Sequence, residues 1–307
     1  MDRGSRRFLA LTGGAGLLAG CISCGGSTEG GAGDGIEVQA SFYPLQWITE
    51  QIGGDSVWVS SMTPPGAEPH DLELSAQDVG AISQADLVVY LSGFQAAVDG
   101  AVEQEASGSA FDAAEHAELD LTYSPIEEGE QASDQADLHF WLDPIRLADV
   151  ADALAGRLGE IDPENAATFT ENAASLHGEL VLLDTELRDG LADCENSLLV
   201  TSHNAFGYLA RAYGLTQMGI TGLTPEGEPS AASLANIASF VEDNDVRTIY
   251  VETLVSPAIA ETIAEEAGAQ TALLDPIEGL TDESQGSDYL EVMRSNLATL
   301  REGQPCN

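Results

Sequence analysis

The amino-acid sequence predicts an α/β protein with two lobes, each built on a mainly parallel sheet, bridged by a long rigid helix. From Ile36 onward, short apolar runs alternate with stretches of helical pattern, which is the signature of α/β architecture. A long helical pattern without proline occupies the middle of the chain, and the alternation then resumes. The 307 residues are enough for two domains of ordinary size.

The first lobe is predicted over residues 36–145. Its best-marked helix spans Ser75–Gln84 and begins with a serine, a favoured N-cap residue. The acidic stretch at about 107–138 has no clear period, and we interpret it as a surface loop. Apolar runs suited to buried strands are found at Ile36–Phe42, Val57–Met62 and Asp86–Leu91.

A helical connector is predicted over residues 146–192. Asp143 and Pro144 open one helix, and Asp162-Pro163-Glu164 opens a second with an N-cap, a proline and an early acid. The second helix runs to about Leu191 and would be roughly 43 Å long at about 1.5 Å per residue. That length exceeds one lobe of this size, so we expect the helix to bridge two lobes.

The second lobe is predicted over residues 193–307 and repeats the alternation of the first. Its predicted strands are Ser197–Ser202, Val246–Glu252 and Thr271–Asp275, and its predicted helices are Ala205–Tyr213, Pro229–Glu242, Pro257–Gly268 and Ser287–Glu302.

The chain is strongly acidic, with a formal net charge of −42 and ten basic residues that are all arginine. Such a charge repels nucleic acid and anionic lipid, so neither is an expected partner. The acidity either attracts cations or keeps the surface solvated in very high salt, as in haloarchaeal-type compositions. Because the charge is spread along the whole chain and a local metal site needs no such spread, we favour the second explanation.

Residues 1–20 have the pattern of an export signal. Arg6 and Arg7 precede an apolar stretch that ends at Gly20 and is too short to span a bilayer as a helix. The paired arginines resemble a twin-arginine signal, and Leu18-Ala19-Gly20-Cys21 resembles a lipobox. We therefore expect cleavage before Cys21 and lipidation of its sulfur, with residues 21–35 as a flexible tether to the extracytoplasmic face of the cell membrane. The alternatives are an uncleaved anchor and a secreted protein.

The cysteines give a second expectation. Thiols outside the cell membrane can oxidise, and we expect a disulfide between Cys194 and Cys306. Cys21 and Cys24 have CxxC spacing, but the first belongs to the lipobox and the sequence has no matching second pair. A structural zinc site built on cysteines is therefore not predicted.

Three of the five histidines lie near predicted strand ends, where open α/β sheets bind ligands. His70 and His203 follow strands, and His139 comes just before a helix start. Spacing alone is a weak signal, because no local motif links these positions. We interpret His177 as a surface or packing residue of the long helix, and His116 as an auxiliary ligand at most.

The segments around these histidines resemble the ligand loops of solute-binding proteins of zinc/manganese ABC importers, the TroA-like metal-binding receptor family. The resemblance extends in order from residue 36 to 303 and implies two α/β lobes with the metal in the cleft between them. The segments are Pro64–Asp71 (PPGAEPHD), Asp137–Pro144 (DLHFWLDP), and Ser202–Leu209 (SHNAFGYL) followed by Tyr213-Gly214-Leu215.

The resemblance also implies the ligands. His70 and His139 would come from the first lobe, and His203 and Asp275 from the second, with Glu252 as the competing carboxylate or as a residue behind a ligand. Three imidazoles and a carboxylate suit Zn²⁺, whereas Mn²⁺ prefers more oxygen ligands. Candidates to orient the imidazoles, or else to cap helices or carry surface charge, are Asp71 and Asp143.

The function implied is a monomeric receptor, not an enzyme, that captures Zn²⁺ or Mn²⁺ and delivers it to the membrane permease of an ABC importer. The alternative is a secreted zinc-dependent hydrolase. The sequence has neither HExxH nor GxSxG, which disfavours the common hydrolase types. A site of three histidines and a water would remain if Asp275 is not a ligand. Aromatic residues make up only 6% of the chain, which disfavours a receptor for an organic solute.

Overall fold

A computed structural model describes residues 35–123, 135–225, 227 and 229–306. The predicted signal peptide, Cys21 and almost all of the predicted tether lie outside these ranges. Among the described residues, none of the helices combines the length and the apolar character that crossing a membrane requires.

The first lobe contains a four-stranded parallel sheet with the strand order β2-β1-β3-β4. Ser75 caps α2 as predicted, because its hydroxyl accepts a hydrogen bond from the backbone N–H of Asp78. The strands are β1 (Ile36–Ala40), β2 (Val57–Ser61), β3 (Leu87–Tyr90) and β4 (Ala110–Asp112), and the helices are α1 (Tyr43–Gly53), α2 (Ala76–Gln84) and α3 (Ala96–Ala101).

The second lobe, after α4 and α5, contains another four-stranded parallel sheet, ordered β6-β5-β7-β8. The prediction of two α/β lobes with parallel sheets is therefore confirmed. The strands are β5 (Leu198–Thr201), β6 (Thr216–Gly219), β7 (Thr248–Val251) and β8 (Gln270–Leu273), and the helices are α6 (Gly207–Tyr213), α7 (Ala231–Asp243), α8 (Ala258–Ala267) and α9 (Tyr289–Gly303).

Two helices connect the lobes, α4 (Pro144–Ile161) and α5 (Ala166–Leu191). The predicted long helix is confirmed as α5, whose 26 residues span about 39 Å at about 1.5 Å per residue. It packs along α4 and contacts α1 of the first lobe and α6 and α9 of the second. The helix is thus held by both lobes through one apolar stripe: Phe169, Ala173, Leu176, Leu180, Leu183, Leu187 and Leu191.

Part of the stretch interpreted as a surface loop belongs to the fold. Ala110–Asp112 forms β4 at the edge of the first sheet, with the Phe111 side chain buried. A strand of three residues is too short to display the alternation by which strands are recognised in a sequence. The interpretation as a surface loop is therefore wrong for residues 110–112. Residues 124–134 lie outside the described ranges.

A disulfide joins Cys194, just before β5, to Cys306, just after α9. Hydrogen bonds accompany it, since the backbone N–H of Glu195 donates to the Pro305 carbonyl and the Gln304 amide donates to the Leu198 carbonyl. The C-terminal end of α9 is consequently fixed against the start of the second sheet.

Candidate metal centre

The three histidines near strand ends meet in the structure, together with Glu278. One donor atom from each of the four side chains lies within 4.8 Å of all the others. Glu278 Oε1 is 3.4 Å from His70 Nε2 and 3.3 Å from the Nε2 atoms of His139 and His203. Zinc bonds of about 2.0–2.1 Å arranged as a tetrahedron require donor atoms about 3.3–3.4 Å apart. The three separations from Glu278 Oε1 therefore match the donor spacing of a tetrahedral Zn²⁺ site.

His70 is presented by the loop that follows β2. Its backbone N–H donates to Glu68 Oε1 over 3.0 Å, and its ring meets the Phe94 ring edge-on, with 4.5 Å between centroids. The buried Gln95 amide donates to the carbonyl of Pro69, the residue before His70, and to the Thr63 hydroxyl. These contacts fix the loop against the carboxyl edge of the first sheet.

His139 is oriented by Asp137. One carboxylate oxygen, Oδ1, accepts from the backbone N–H of His139 over 2.9 Å and lies 2.8 Å from its Nδ1. A carboxylate at Nδ1 holds the proton there and leaves the lone pair of Nε2 for a metal. That Nε2 is buried and makes no hydrogen bond within the described part of the chain. Asp137 begins the segment DLHFWLDP, but the sequence analysis assigns it no role in orienting His139.

His203 is oriented in the same way by Glu252. Glu252 Oε1 accepts from the backbone N–H of His203 over 3.0 Å, and Oε2 lies 2.5 Å from His203 Nδ1. The His203 side chain is fully buried, and its Nε2 has no hydrogen-bond partner among the described residues. Glu252, the competing carboxylate of the sequence analysis, thus lies behind the imidazole rather than among the four converging donors.

Glu278 occupies the place expected for Asp275. The carboxylate of Asp275 is used within its own loop, where Oδ1 accepts from the backbone N–H of Ile277 over 2.8 Å and Oδ2 from the Ser284 hydroxyl over 2.7 Å. Glu278 lies three residues farther from the end of β8 and turns into the cluster. The only sequence signal for it is its position in the loop after a strand, in the segment LLDPIEG.

The other candidates do not belong to the cluster. Asp143 accepts from the backbone N–H of Ile145 at the start of α4 and pairs with Arg146, so it caps a helix. Asp71 is exposed. His116 stacks on Phe111, and His177 pairs with Asp152 on the surface.

The cluster combines two buried histidines with carboxylates that change their pKa values. Burial acts to lower the pKa of His139, but the hydrogen bond to Asp137, the close Glu278 carboxylate and the charges of both raise it above 6.5. Burial opposes protonation of His203 as well, yet the charge of Glu252, the hydrogen bond to Glu252 and the close Glu278 carboxylate raise its pKa well above 6.5. For Glu278, burial acts to raise the pKa, and the close imidazoles of His139, His203 and His70 bring it well below 4.5.

Zinc affinity is expected to fall as the pH is lowered, and the fall should begin above pH 6.5. Because the pKa values of His139 and His203 are raised, zinc must displace protons from both imidazoles near neutral pH. The apparent affinity should then change by up to about a hundredfold per pH unit, about tenfold for each proton. Chelator competition between pH 8.5 and 5 measures this change, and an affinity that stays flat from pH 7.5 to 5 would contradict it.

The same pKa shifts affect the metal-free fold. A raised pKa means that protonated His203 stabilises the fold below pH 6.5, and this contribution is lost as the pH rises through the folded-state pKa. Ionised Glu278 stabilises the fold above pH 4.5, and its contribution is lost as the pH falls through the lowered pKa.

Each of the two α/β lobes has a parallel sheet, and both lobes contribute to the set of three imidazoles and one carboxylate. These features define the class of two-lobed metal-binding proteins. Within this class, residues 38–303 match the ZnuA family, described as zinc-uptake complex component A, periplasmic. The chain belongs to this family.

Individual relatives agree with the family. The high-affinity zinc uptake system protein ZnuA of Bacillus subtilis (strain 168) is 34% identical over 304 residues, covering 93% of this chain and 95% of that protein. The zinc-binding lipoprotein AdcA of Streptococcus pneumoniae serotype 4 is 34% identical over 279 residues. That match covers 87% of this chain and 55% of AdcA, so the chain spans about half of that longer protein.

Solved structures share the fold. The laminin-binding protein Lmb of Streptococcus agalactiae, described as an adhesin with metal-transporting activity, has a TM-score of 0.78 and 33% identity, covering 88% of this chain and all of that one. The Zn(II)-bound ZnuA-like domain of Streptococcus pneumoniae AdcA has a TM-score of 0.73 and 34% identity, covering 88% of this chain and 99% of that one.

Proposed function

We propose that this chain is a receptor that captures Zn²⁺ with His70, His139, His203 and Glu278 and delivers it to the permease of an ABC importer. The observation that carries the proposal is the convergence of three Nε2 atoms on Glu278 Oε1 at 3.3–3.4 Å. Two of these nitrogens are buried with no hydrogen bond in the described structure, as expected for atoms that await a metal. The zinc-binding names of the relatives support the same cargo.

Zinc fits this donor set better than manganese. Three of the four donors are imidazole nitrogens, whereas Mn²⁺ favours octahedral sites rich in oxygen. His139 and His203 are held at both the backbone and the ring by carboxylates, so the set has little freedom to expand. A receptor role also fits better than hydrolysis, because catalytic zinc needs an open position for water and four protein donors already complete a tetrahedron.

Stripped of metal with a chelator, the protein is expected to bind one Zn²⁺ per chain and to be stabilised by it. Zinc at about 1,000 times its dissociation constant adds about 4 kcal/mol to the free energy of unfolding, which corresponds to a rise of roughly 10 °C in the melting temperature. Calorimetric titration and thermal unfolding measure these quantities, with Mn²⁺ titrated in parallel. Absence of zinc binding, or turnover of phosphate or carboxylate esters by the loaded protein, would refute the proposal.

We propose further that Cys21 carries the lipid that holds this receptor, as a monomer, at the extracytoplasmic face of the cell membrane. The lipobox pattern Leu18–Cys21 and the lipoprotein name of the AdcA relative support this location. The N-terminal mass of protein extracted from membranes tests it, since an unmodified chain that retains residues 1–20 would exclude lipidation at Cys21.

A further inference from the structure

Ile277, the residue just before Glu278, adopts a backbone conformation that an isoleucine side chain disfavours. Ile277 has φ = +57°, in the left-handed region where a β-branched residue is an outlier. The side chain is fully buried, so the residue cannot relax toward solvent. Such conformations persist only where the surrounding structure over-determines them, and they concentrate at functional sites.

The carboxylate of Asp275 accounts for part of that constraint. Its Oδ1 accepts from the backbone N–H of Ile277 over 2.8 Å and thereby closes a short turn around Pro276. Its Oδ2 accepts from the Ser284 hydroxyl over 2.7 Å, which fixes the orientation of the carboxylate. Both oxygens are therefore committed to the loop that carries Glu278.

Neighbouring elements hold the rest of the turn. Asn296 on α9 accepts from the backbone N–H of Asp275 over 3.0 Å and donates to its carbonyl over 2.7 Å. Trp141 donates from Nε1 to the Pro276 carbonyl over 2.8 Å. Since Trp141 lies two residues after His139, this last bond also ties the turn to a ligand loop of the first lobe.

We propose that Asp275 is a positioning residue for zinc capture: it holds Ile277 in the left-handed conformation and so directs Glu278 Oε1 toward the three imidazoles. This inference rests on the proposed zinc site. Asp275, which the sequence suggested as a ligand, acts instead through the backbone on Glu278, the residue that binds the metal.

The test is a double-mutant cycle on zinc affinity, measured by competition with a chromophoric chelator. Glu278→Ala removes a donor and should weaken zinc binding by roughly a hundredfold. Asp275→Ala should weaken it by about tenfold or more, as expected for a residue that orients a metal ligand. If Asp275 acts only through Glu278, the double variant should bind no more weakly than Glu278→Ala alone. Co²⁺ bound to Asp275→Ala should show the visible spectrum of the Glu278→Ala variant.

Asp275→Asn is the matched conservative variant. Its amide oxygen can still accept from the Ile277 N–H, and its NH₂ can donate to the Ser284 oxygen, so affinity should stay within about threefold of wild type. A residue that binds zinc directly through its charge would lose affinity in both the Asn and the Ala variants. Near-UV circular dichroism and the melting temperature of each metal-free variant establish that it is folded.

Three results would overturn the proposal: wild-type affinity in Asp275→Ala, losses that multiply in the double variant, or a loss in Asp275→Asn as large as in Asp275→Ala. If Asp275→Ala does not fold, Ser284→Ala, which removes only the hydrogen bond to Oδ2, replaces it in the cycle. Ser284→Ala should then weaken zinc binding in the wild-type background and leave it unchanged in the Glu278→Ala background. Any other combination of results would contradict the proposal. Wild-type protein and His203→Ala measured alongside show separately whether the zinc site itself exists.

Discussion

Replacing His203 with alanine is expected to weaken zinc binding by about a hundred- to a thousandfold, the largest loss from a single substitution at this site. Zinc sites of four ligands bind with about 10–16 kcal/mol, or roughly 2.5–4 kcal/mol for each ligand, and each 1.4 kcal/mol corresponds to about tenfold in affinity. His203 is the most deeply enclosed of the three histidines. Its removal also leaves the buried Glu252 carboxylate without its imidazole partner, which adds to the loss.

His177→Ala is the matched control for this experiment. His177 is a histidine on the surface of α5 with 38% of its side chain exposed, and it pairs with Asp152 rather than with the cluster. The control should keep the zinc content and affinity of the wild type. Metal analysis of both variants after purification gives the stoichiometry, and an unchanged zinc content in His203→Ala would remove that residue from the site.

Removing the disulfide is expected to lower the free energy of unfolding by about 2–5 kcal/mol. Cys194 and Cys306 are 112 residues apart, and a cross-link that closes so long a loop restricts the unfolded chain strongly. Denaturant unfolding of Cys194→Ser/Cys306→Ser, compared with the oxidised wild type, measures the difference. The zinc-free forms must be compared, because bound metal adds its own stabilisation.

The location of the bridge adds a second expectation to this experiment. The bridge fixes the end of α9, and the same helix carries Asn296, which holds the backbone of Asp275. We therefore expect zinc affinity to fall by a smaller factor than in the ligand variants. An unfolding free energy equal to that of the oxidised wild type would show that the cross-link does not stabilise this fold.

Elements with a helical period or a continuous apolar run could be predicted from the sequence. The helix α5 is long enough to display a period, and the four-residue strands β3 (LVVY) and β5 (LLVT) are apolar runs. The strands β4 (AFD) and β6 (TQMG) are no longer than these and contain polar residues or glycine, so they form no apolar run. The helix α1 is not predicted by its sequence either, because Trp47, Ile48 and Thr49 are residue types that favour strands, and packing in the first lobe decides its conformation.

The site could be predicted in part. The motifs around His70, His139 and His203 led to residues that the structure brings together, although their spacing alone would not have done so. Glu278 could not be found in the same way, because its direction depends on the left-handed backbone at Ile277. Isoleucine is a residue type that sequence rules exclude from that conformation, so only the surrounding hydrogen bonds reveal it.

The two sheets share one strand order, so the same sheet topology occurs twice in the fold. His203 lies two residues past the first strand of its sheet, and Glu278 lies five residues past the fourth. The residues at the same distances past the corresponding strands of the first lobe are Phe42 and Ala117, both fully buried and apolar. The strand order is therefore repeated in the two lobes, whereas the positions of the metal donors are not. The second lobe carries His203 and Glu278 shortly after its strands. The first lobe has buried apolar residues at the corresponding positions and supplies His70 and His139 from longer loops.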